Sequence, residues 1–146
     1  GFTLVELLVG LLIVALAAGL AGFALSKRQA QESKTAFVDE AVHVLRLAHR
    51  DAVMTGTKRI VAFDLVKRVV SYPGQDLQFD IPDDLEISIL VGLELVSADG
   101  TVPVAYFGEG GSTGARFTVI DDAGSKRSFE TSWLTGLTSR IDDDDP

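Results

Sequence analysis

Glu6 is the residue of this chain whose position most clearly calls for a chemical partner. It is the single charge in an apolar run from Phe2 to Leu25. Insertion scales put a charge such as aspartate at the centre of a membrane helix at about 2.5 to 3.5 kcal/mol, and such residues usually face a partner. A cation would relieve this cost. The alternative is that Glu6, near the helix N-terminus, lies among lipid headgroups and interacts with the positive end of the helix dipole.

Other groups that resemble reactive sites lack the spacing that their chemistry requires. His43 and His49 would lie about 240° apart around a helix, unlike the pair in a zinc-binding H-E-x-x-H motif. No G-x-S-x-G element marks a serine nucleophile. Asp121-Asp122 and the aspartates near the C-terminus lack EF-hand spacing and are expected to be solvated. We therefore expect no catalytic residue, metal site or cofactor, and a protein that is not an enzyme.

The glycine-rich segment Gly108–Gly114 resembles a phosphate-binding loop only superficially. A P-loop continues into Lys-Ser/Thr and a helix, whereas strand-like runs flank this segment. A flexible hairpin loop is the favoured interpretation. Trp133 and the phenylalanines are expected in the core, because a small domain needs its large apolar side chains there.

Composition limits the class of protein. The chain has 146 residues, a net charge of −8 and no cysteine, so one domain with a modest core is expected. The negative charge argues against nucleic-acid binding, which relies on a concentrated basic surface. The lack of cysteine excludes a disulfide framework, a thiolate metal site and a cysteine nucleophile.

The run from Phe2 to Leu25 is long enough to cross a membrane. As a helix it would span about 36 Å, against a hydrocarbon core of roughly 30 Å. A secretory signal peptide is the competing interpretation, but the run exceeds the usual h-region and no small-residue cleavage site lies just beyond it. Lys27-Arg28 predicts an anchor at the membrane interface. Counting positive charge would place that side in the cytoplasm, and the orientation stays open.

The helix is expected to continue out of the membrane as far as Thr55. Ser26–Thr55 contains neither Gly nor Pro, and Gly56 is a natural C-terminal stop. The apolar residues of one face are Phe37, Val38, Ala41, Val42, Val44, Leu45, Ala48, Ala52 and Val53. The charged residues, Lys34 among them, fall largely off this face, which predicts that the second half of the helix packs on a globular domain.

Beyond Gly56 the pattern changes to short apolar and β-branched runs, which predict antiparallel strands. These strands are Lys58–Asp64, Arg68–Tyr72, Leu85–Val96, Val102–Phe107, Arg116–Ile120 and Lys126–Trp133. Turns are predicted at Pro73-Gly74, Pro82-Asp83-Asp84, Asp99-Gly100, Gly108–Gly114 and Asp122–Gly124. The predicted fold class is α+β, a roll in which a long N-terminal helix packs on an antiparallel β-sheet head. Asp142–Asp145 is expected to be a solvated or disordered tail.

The first six residues, Gly-Phe-Thr-Leu-Val-Glu, resemble the processing site of class III prepilins, the precursors of type IV pilins and type II secretion pseudopilins. The resemblance implies that prepilin peptidase cuts between Gly1 and Phe2, that the new amine of Phe2 is methylated, and that Glu6 pairs with a neighbouring subunit's amine during filament assembly. The chemistry is consistent, because an α-amine with a pKa near 8 is mostly cationic at neutral pH and a low dielectric strengthens its attraction to a carboxylate. That amine exists only once Gly1 has been removed.

Two segments of the head resemble the C-terminal signature of the H-type minor pseudopilins of type II secretion. They are Tyr106–Phe117 (YFGEGGSTGARF) and Ser132–Leu137 (SWLTGL). In that family an aromatic strand enters a Gly/Ser-rich turn with an acidic residue, and the chain ends near a Trp-Leu-Thr-Gly element. The candidate head contact residues in this turn are Glu109, Gly110, Gly111, Ser112 and Thr113.

The resemblance implies a pilin-like fold and a minor pseudopilin, a structural subunit of the filament that assists export of folded proteins across the outer membrane. The implied partners are other minor and major pseudopilins, the prepilin peptidase, the inner-membrane assembly platform and membrane lipid. The implied location is the inner membrane, with one span and a periplasmic head, and the pseudopilus after assembly.

The chain is expected to divide into four parts. They are residues 1–26 (processing site and transmembrane half of the helix), 27–56 (amphipathic half), 57–141 (β-rich head) and 142–146 (acidic tail). Two alternatives to the pseudopilin remain. One is a minor pilin of a type IV pilus, and the other is a monomeric membrane-tethered binding module whose glycine-rich loop contacts a ligand.

Overall fold

A long helix is followed by eight strands in the computed structural model of the chain, which describes residues 1–92 and 100–141. The helix, α1, spans Leu4–Thr55. The strands are β1 Arg59–Asp64, β2 Val69–Tyr72, β3 Leu77–Asp80, β4 Leu85–Leu90, β5 Thr101–Tyr106, β6 Ala115–Asp121, β7 Lys126–Thr131 and β8 Thr138–Ile141, with a short 3-10 helix, Pro73–Gln75, between β2 and β3. The predicted α+β class is confirmed.

Local chemistry defines both ends of α1. The Glu6 backbone N–H donates to the Thr3 hydroxyl at 3.2 Å, and the Thr3 backbone N–H donates to the Glu6 carboxylate at 3.3 Å. These reciprocal bonds form a capping box. At the other end, Gly56 has a φ of 64°, a left-handed conformation that glycine adopts without steric cost. The predicted stop at this glycine is confirmed.

The two halves of α1 have different surroundings. The side chains of residues 1–29 are all exposed, and this part of α1 is long and apolar enough to cross a membrane, judged by length and composition. From Lys34 onwards one face of the helix is buried against the strands. One continuous helix therefore combines an exposed apolar half with a half that belongs to the core of the head.

Two four-stranded antiparallel sheets form the rest of the head. Their strand orders are β3-β2-β1-β5 and β4-β6-β7-β8. Phe63 of β1 meets Phe117 of β6 with ring centroids 4.8 Å apart, and Phe117 stacks on Phe129 of β7 at 4.6 Å. Burying each ring stabilises the fold by about 1.5 to 3 kcal/mol. These rings join the two sheets into one core, which the buried face of α1 completes.

The strands that the sequence pattern does not predict are the ones with little apolar alternation. β3 is largely exposed, and β8 turns a threonine rather than an apolar side chain inward. The strand predicted as Leu85–Val96 ends at Leu90, and its part beyond residue 92 lies outside the described residues. Asp99 of a predicted turn and the predicted tail Asp142–Asp145 also lie outside them.

Two residues of α1 differ from the prediction of its buried face. Val53, predicted to be on that face, is exposed because the last turn of the helix, residues 53–55, is exposed as a whole. Lys34, predicted to lie off the face, is fully buried. Burial of its ammonium group is possible because a carboxylate from β6 neutralises it, as described below.

Candidate functional site

Glu6 has its contacts inside the first turn of α1. Its Oε2 atom lies 3.3 Å from the Thr3 backbone nitrogen and 3.5 Å from the Thr3 hydroxyl. The ion pairs among residues 1–92 and 100–141 do not include Glu6. The side chain thus completes a helix cap while its charge has no cationic partner within the described part of the chain. Phe2, next to it in sequence, is 93% exposed.

The glycine-rich segment connects the two sheets, because β5 belongs to one sheet and β6 to the other. Within it the chain folds back as a short hairpin, since Tyr106 and Ser112 form an antiparallel bridge. Backbone hydrogen bonds within the segment also hold it in place. The Phe107 N–H donates to the Gly111 carbonyl at 2.9 Å, and the Gly110 N–H donates to the Phe107 carbonyl at 3.0 Å. A Cβ on Gly108 would lie 2.5 Å from the Gly56 carbonyl carbon. The segment therefore packs on the C-terminal end of α1, and the predicted hairpin is present as a short turn that these contacts hold in place.

The two segments that resemble the H-type signature meet in space. The Ser112 N–H donates to the Trp133 carbonyl at 2.9 Å, and the Ser112 hydroxyl donates to the Ser132 carbonyl at 2.9 Å. A Cβ on Gly136 would collide with the Gly110 carbonyl oxygen. Glycine at this position is needed for the close approach of the two segments.

His49 fixes both segments to α1. Its Nε2–H donates to the Gly110 carbonyl at 3.0 Å, and its ring would be 2.5 Å from a Cβ on Gly136. The ring also lies 5.8 Å from that of Tyr106. Its role in the structure is packing and hydrogen bonding, and His43 is exposed elsewhere on the helix. No group of three or more His, Asp or Glu residues is arranged to hold a metal ion within the described part of the chain.

The turn between β7 and β8, Ser132–Leu137, projects apolar side chains into solvent; we call it the apolar turn. Trp133, Leu134 and Leu137 are 70%, 67% and 61% exposed. The prediction of Trp133 as a core residue is therefore wrong. The physical reason is that its backbone forms the turn held by Ser112, which directs the ring away from the core. The position of Trp133 among Ser, Thr and Gly residues was the available signal of a turn.

The candidate contact residues of the glycine-rich segment differ in accessibility. Glu109 is exposed, Gly110, Gly111 and Thr113 are half-buried, and Ser112 is buried. Thr113 is also tied to the edge of β5, because its N–H donates to the Ala105 carbonyl at 2.9 Å. Most of these residues position the loop and the apolar turn, and the carboxylate of Glu109 is the accessible group.

A buried ion pair joins the start of the core half of α1 to the sheet. The Lys34 ammonium group donates to Asp121 Oδ2 at 2.7 Å, to the Ser125 hydroxyl at 2.6 Å and to the Ser125 carbonyl at 3.2 Å. All three of its donors are thus used. The hydrogen bond from Lys34 holds the pKa of the Asp121 carboxyl below its usual value. The expectation that Asp121 is solvated is wrong, because it is the partner of a buried lysine.

A second polar contact fixes the far end of α1 to the strands. Asp51 accepts hydrogen bonds from the Tyr72 hydroxyl at 2.8 Å and from the Gln75 amide at 2.7 Å. Burial, followed by the contact with this carboxylate, raises the pKa of Tyr72 to about 12. The phenol therefore stays protonated at neutral pH and donates to Asp51.

No protein-family model and no curated protein sequence matches the chain, but solved structures do. A structure of the minor pseudopilin EpsH from the type 2 secretion system of Vibrio cholerae matches with a TM-score of 0.59 at 13% identity, covering 80% of this chain and 98% of that one. A second EpsH structure gives a TM-score of 0.56 with the same identity and coverage. The type IV minor pilin FimU of Pseudomonas aeruginosa gives 0.55 at 12% identity, covering 80% of this chain and 91% of that one.

The chain has a pilin-like fold. At these identities the likeness concerns the fold, and it agrees with the long helix packed on antiparallel sheets seen here. The predicted pilin-like roll is thereby confirmed.

Within this pilin-like fold the candidate residues fall into two separate groups. Glu6 and Phe2 lie at the start of α1, whereas the glycine-rich segment and the apolar turn lie beside His49. Forty-three residues of helix separate Glu6 from His49, which is about 65 Å at 1.5 Å per residue. The two groups cannot form one site, and each needs its own account.

Proposed function

We propose that this protein is a minor pseudopilin, a structural subunit of a type II secretion pseudopilus that assists export of folded proteins across the outer membrane. The observation that carries the proposal is the division of one helix into an exposed apolar half and a half packed in a pilin-like head. Apolar side chains in such numbers are stable in lipid or against other apolar helices. A filament subunit uses both environments in turn, first as an anchored monomer and then in a helical bundle.

In this proposal residues 1–26 carry the processing site and the transmembrane half of the helix. Residues 27–56 form its amphipathic half, 57–141 form the periplasmic head, and 142–146 are an acidic tail. Prepilin peptidase cuts between Gly1 and Phe2, and the new N-terminus is methylated. The protein is anchored in the inner membrane, and through the assembly platform it joins the other minor and major pseudopilins. Its role is structural and not enzymatic.

Glu6 is proposed to pair with the N-terminal amine of a neighbouring subunit. The geometry supports this proposal in one respect: the carboxylate has hydrogen bonds from Thr3 but no cation among its contacts in the described structure. In a low dielectric, pairing with a cationic amine would neutralise two charges together. The capping contact and the proposed intersubunit contact use the same carboxylate, so a test must separate them.

Substitution of Glu6 by glutamine makes that separation. Glutamine serves in a capping box as glutamate does, so Glu6→Gln keeps the cap and removes the charge, whereas Glu6→Ala removes both. We expect both variants to insert in the membrane and neither to enter filaments, as measured by sedimentation of sheared filaments and by cysteine cross-linking to other pseudopilins. Normal assembly of Glu6→Gln would contradict the charge-pairing proposal.

The second candidate function is a minor pilin of a type IV pilus. It is supported by the match to FimU, whose TM-score of 0.55 is close to the 0.56 and 0.59 of the EpsH structures. Genes for secretion components beside the gene of this chain would favour the pseudopilin, and pilus genes would favour the pilin. A monomeric membrane-tethered module is the third candidate, and it predicts no cross-links to other subunits under assembling conditions.

A further inference from the structure

A cleft lies where α1 passes the turn between β6 and β7; we call it the membrane-side cleft. It has a volume of about 360 Å³ and is lined by Phe23, Ser26 and Lys27 of α1 and by Asp122 and Ala123 of the turn. All five residues are exposed. The exposed apolar half of the helix and the head therefore form this cleft together.

The membrane-side cleft lies at the level expected for lipid headgroups. The apolar run ends at Leu25, and Lys27 is the first charged residue after Glu6. Twenty-one positions separate Glu6 from Lys27, which is about 32 Å along a helix and close to the roughly 30 Å of a hydrocarbon core. When the apolar half spans a membrane, the turn between β6 and β7 therefore faces the bilayer surface.

The turn between β6 and β7 is held in place by the buried ion pair. Lys34 donates to Asp121 Oδ2 at 2.7 Å and to the Ser125 hydroxyl at 2.6 Å. The N–H groups of Ala123 and Ser125 donate to Asp121 Oδ1 at 3.0 and 2.9 Å. Asp122 lies between these fixed positions. A carboxylate on a fixed backbone loses less conformational entropy on binding a ligand than one on a mobile loop.

The membrane-side cleft holds one cationic and one anionic side chain that do not pair with each other. Lys27 and Asp122 both line it, yet neither belongs to an ion pair among residues 1–92 and 100–141. At the edge of a bilayer the dielectric constant is lower than in water, which strengthens the attraction of each side chain to an opposite charge. A ligand with a phosphate and an ammonium group can neutralise both side chains at once.

The charges around the membrane-side cleft favour a zwitterionic ligand over an anionic one. Lys27 also lines a neighbouring groove on α1, together with Arg28 and Glu32. The two cations are thus balanced by the carboxylates of Asp122 and Glu32. Recognition of anionic lipids uses clusters of about four to eight basic residues, and two basic residues with two acidic ones give no such excess of positive charge.

We propose that the membrane-side cleft binds the phosphoethanolamine headgroup of a membrane lipid. The lipid phosphate accepts a hydrogen bond from the ammonium group of Lys27, and the lipid ammonium group donates to the Asp122 carboxylate. A primary ammonium has three N–H donors, whereas the quaternary ammonium of choline has none, so the carboxylate selects ethanolamine. Phe23, one helical turn closer to the membrane centre than Lys27, contacts the acyl chains.

This contact ties the head to the bilayer surface while the subunit is anchored. The proposal rests on membrane insertion of the apolar half, which is part of the proposed function. Entry into a filament removes the subunit from the membrane and so breaks the contact with the lipid. The contact therefore belongs to the anchored state alone.

Carbodiimide coupling of the full-length chain in vesicles tests the headgroup site, because this reagent joins a carboxylate to a primary amine that touches it. The probe is phosphatidylethanolamine in vesicles of phosphatidylcholine, which has no primary amine. We expect mass spectrometry of peptides to find the lipid amide at Asp122 about fivefold more often than at Glu32, an exposed carboxylate outside the cleft. Asp122→Asn should abolish the amide. An amide that persists in this variant would lie on Asp121 and contradict the proposal.

Substitution of Lys27 tests the proposed phosphate contact. Lys27→Gln is expected to lower the yield of the lipid amide at Asp122 about two- to fivefold, the range of exposed charge pairs. Lys126→Gln is the matched control. It removes an exposed lysine at the start of β7 that does not line the cleft, and it should leave the yield unchanged. Equal losses for the two variants would show a general effect of positive charge and overturn the proposed site.

Flotation of the vesicles separates failure of this proposal from failure of the proposed function. A chain that floats with the vesicles but has no excess of lipid amide at Asp122 would overturn the headgroup site and leave the proposed function standing. An amide between Lys27 and Asp122 would also overturn the site, because the two side chains would then pair with each other. A chain that does not float with the vesicles would contradict membrane anchoring, and with it both proposals.

Discussion

Glu6 and Lys34 are charged residues on the same helix, and they differ in where their partners are. The ammonium group of Lys34 has three acceptors within the chain, from Asp121 and Ser125. Glu6 has hydrogen bonds from Thr3 alone and no ion pair in the described structure. A charge with an internal partner becomes part of the fold, whereas a charge that is only capped can bind another molecule. The two halves of α1 therefore differ in whether their charge is neutralised within the described part of the chain.

The largest effect on stability is expected from removing the internal partner. Lys34→Met keeps a long side chain but leaves the Asp121 carboxylate buried without a cation, and breaking such a pair costs about 3 to 5 kcal/mol. The measurement is the free energy of unfolding in urea of the detergent-solubilised full-length chain, followed by near-ultraviolet circular dichroism. Lys27→Met, at an exposed position of the same helix, is the matched control. It should change the free energy of unfolding by less than about 0.5 kcal/mol. Equal effects of the two substitutions would show that Lys34 has no special role.

Removing both charges should be less harmful than removing one. Asparagine at position 121 keeps an oxygen for the N–H groups of Ala123 and Ser125, which donate to Asp121 Oδ1 at 3.0 and 2.9 Å. We therefore expect Lys34→Met combined with Asp121→Asn to restore about half of the loss, because no buried charge remains unpaired. The same unfolding experiment, applied to the two single variants and the double variant, measures the coupling free energy between positions 34 and 121. A double variant whose loss is the sum of the two single losses would refute the ion-pair account.

The pH dependence of stability gives a third, smaller effect. The hydrogen bond from Lys34 lowers the pKa of Asp121 in the folded state, so this group contributes stability that is present above the unfolded-state pKa of about 3.9 and is lost as the pH falls through the folded-state value. We expect the urea midpoint of the natural chain to fall between pH 5 and pH 3. The double variant lacks this contribution and should show a shallower fall, and parallel curves for the two proteins would contradict the assignment.

The sequence predicts the backbone of this molecule better than it predicts the burial of its charged and aromatic residues. The uninterrupted run from Ser26 to Thr55 and the glycine at 56 determine the helix and its end, because both depend on local conformational preference. Strands with apolar alternation are found for the same reason. β3 and β8 are missed because one is largely exposed and the other turns a threonine inward.

Burial that depends on a distant partner is not visible in local periodicity. Lys34 looks like a solvated charge until β6 brings Asp121 to it, 87 positions further along the chain. Trp133 looks like a core residue until Ser112 fixes its backbone in a turn. The proposed site at Glu6 is the reverse case. Its proposed chemistry stays a prediction from one charge in an apolar run, and the ion pairs among the described residues do not include Glu6.

The smallest effect on stability is expected at Glu6, and it completes the comparison with Lys34. Glu6→Gln keeps the capping contact with Thr3. Position 6 also lies about 40 Å along α1 from the first buried residue of the head. The free energy of unfolding of the head should therefore change by less than about 0.5 kcal/mol. Assembly should nevertheless be lost, while Lys34→Met should weaken the head and leave the N-terminal contact intact. If Glu6→Gln instead weakened the head as much as Lys34→Met does, the charge at position 6 would belong to the fold, and the division of α1 into a folding half and an assembly half would be wrong.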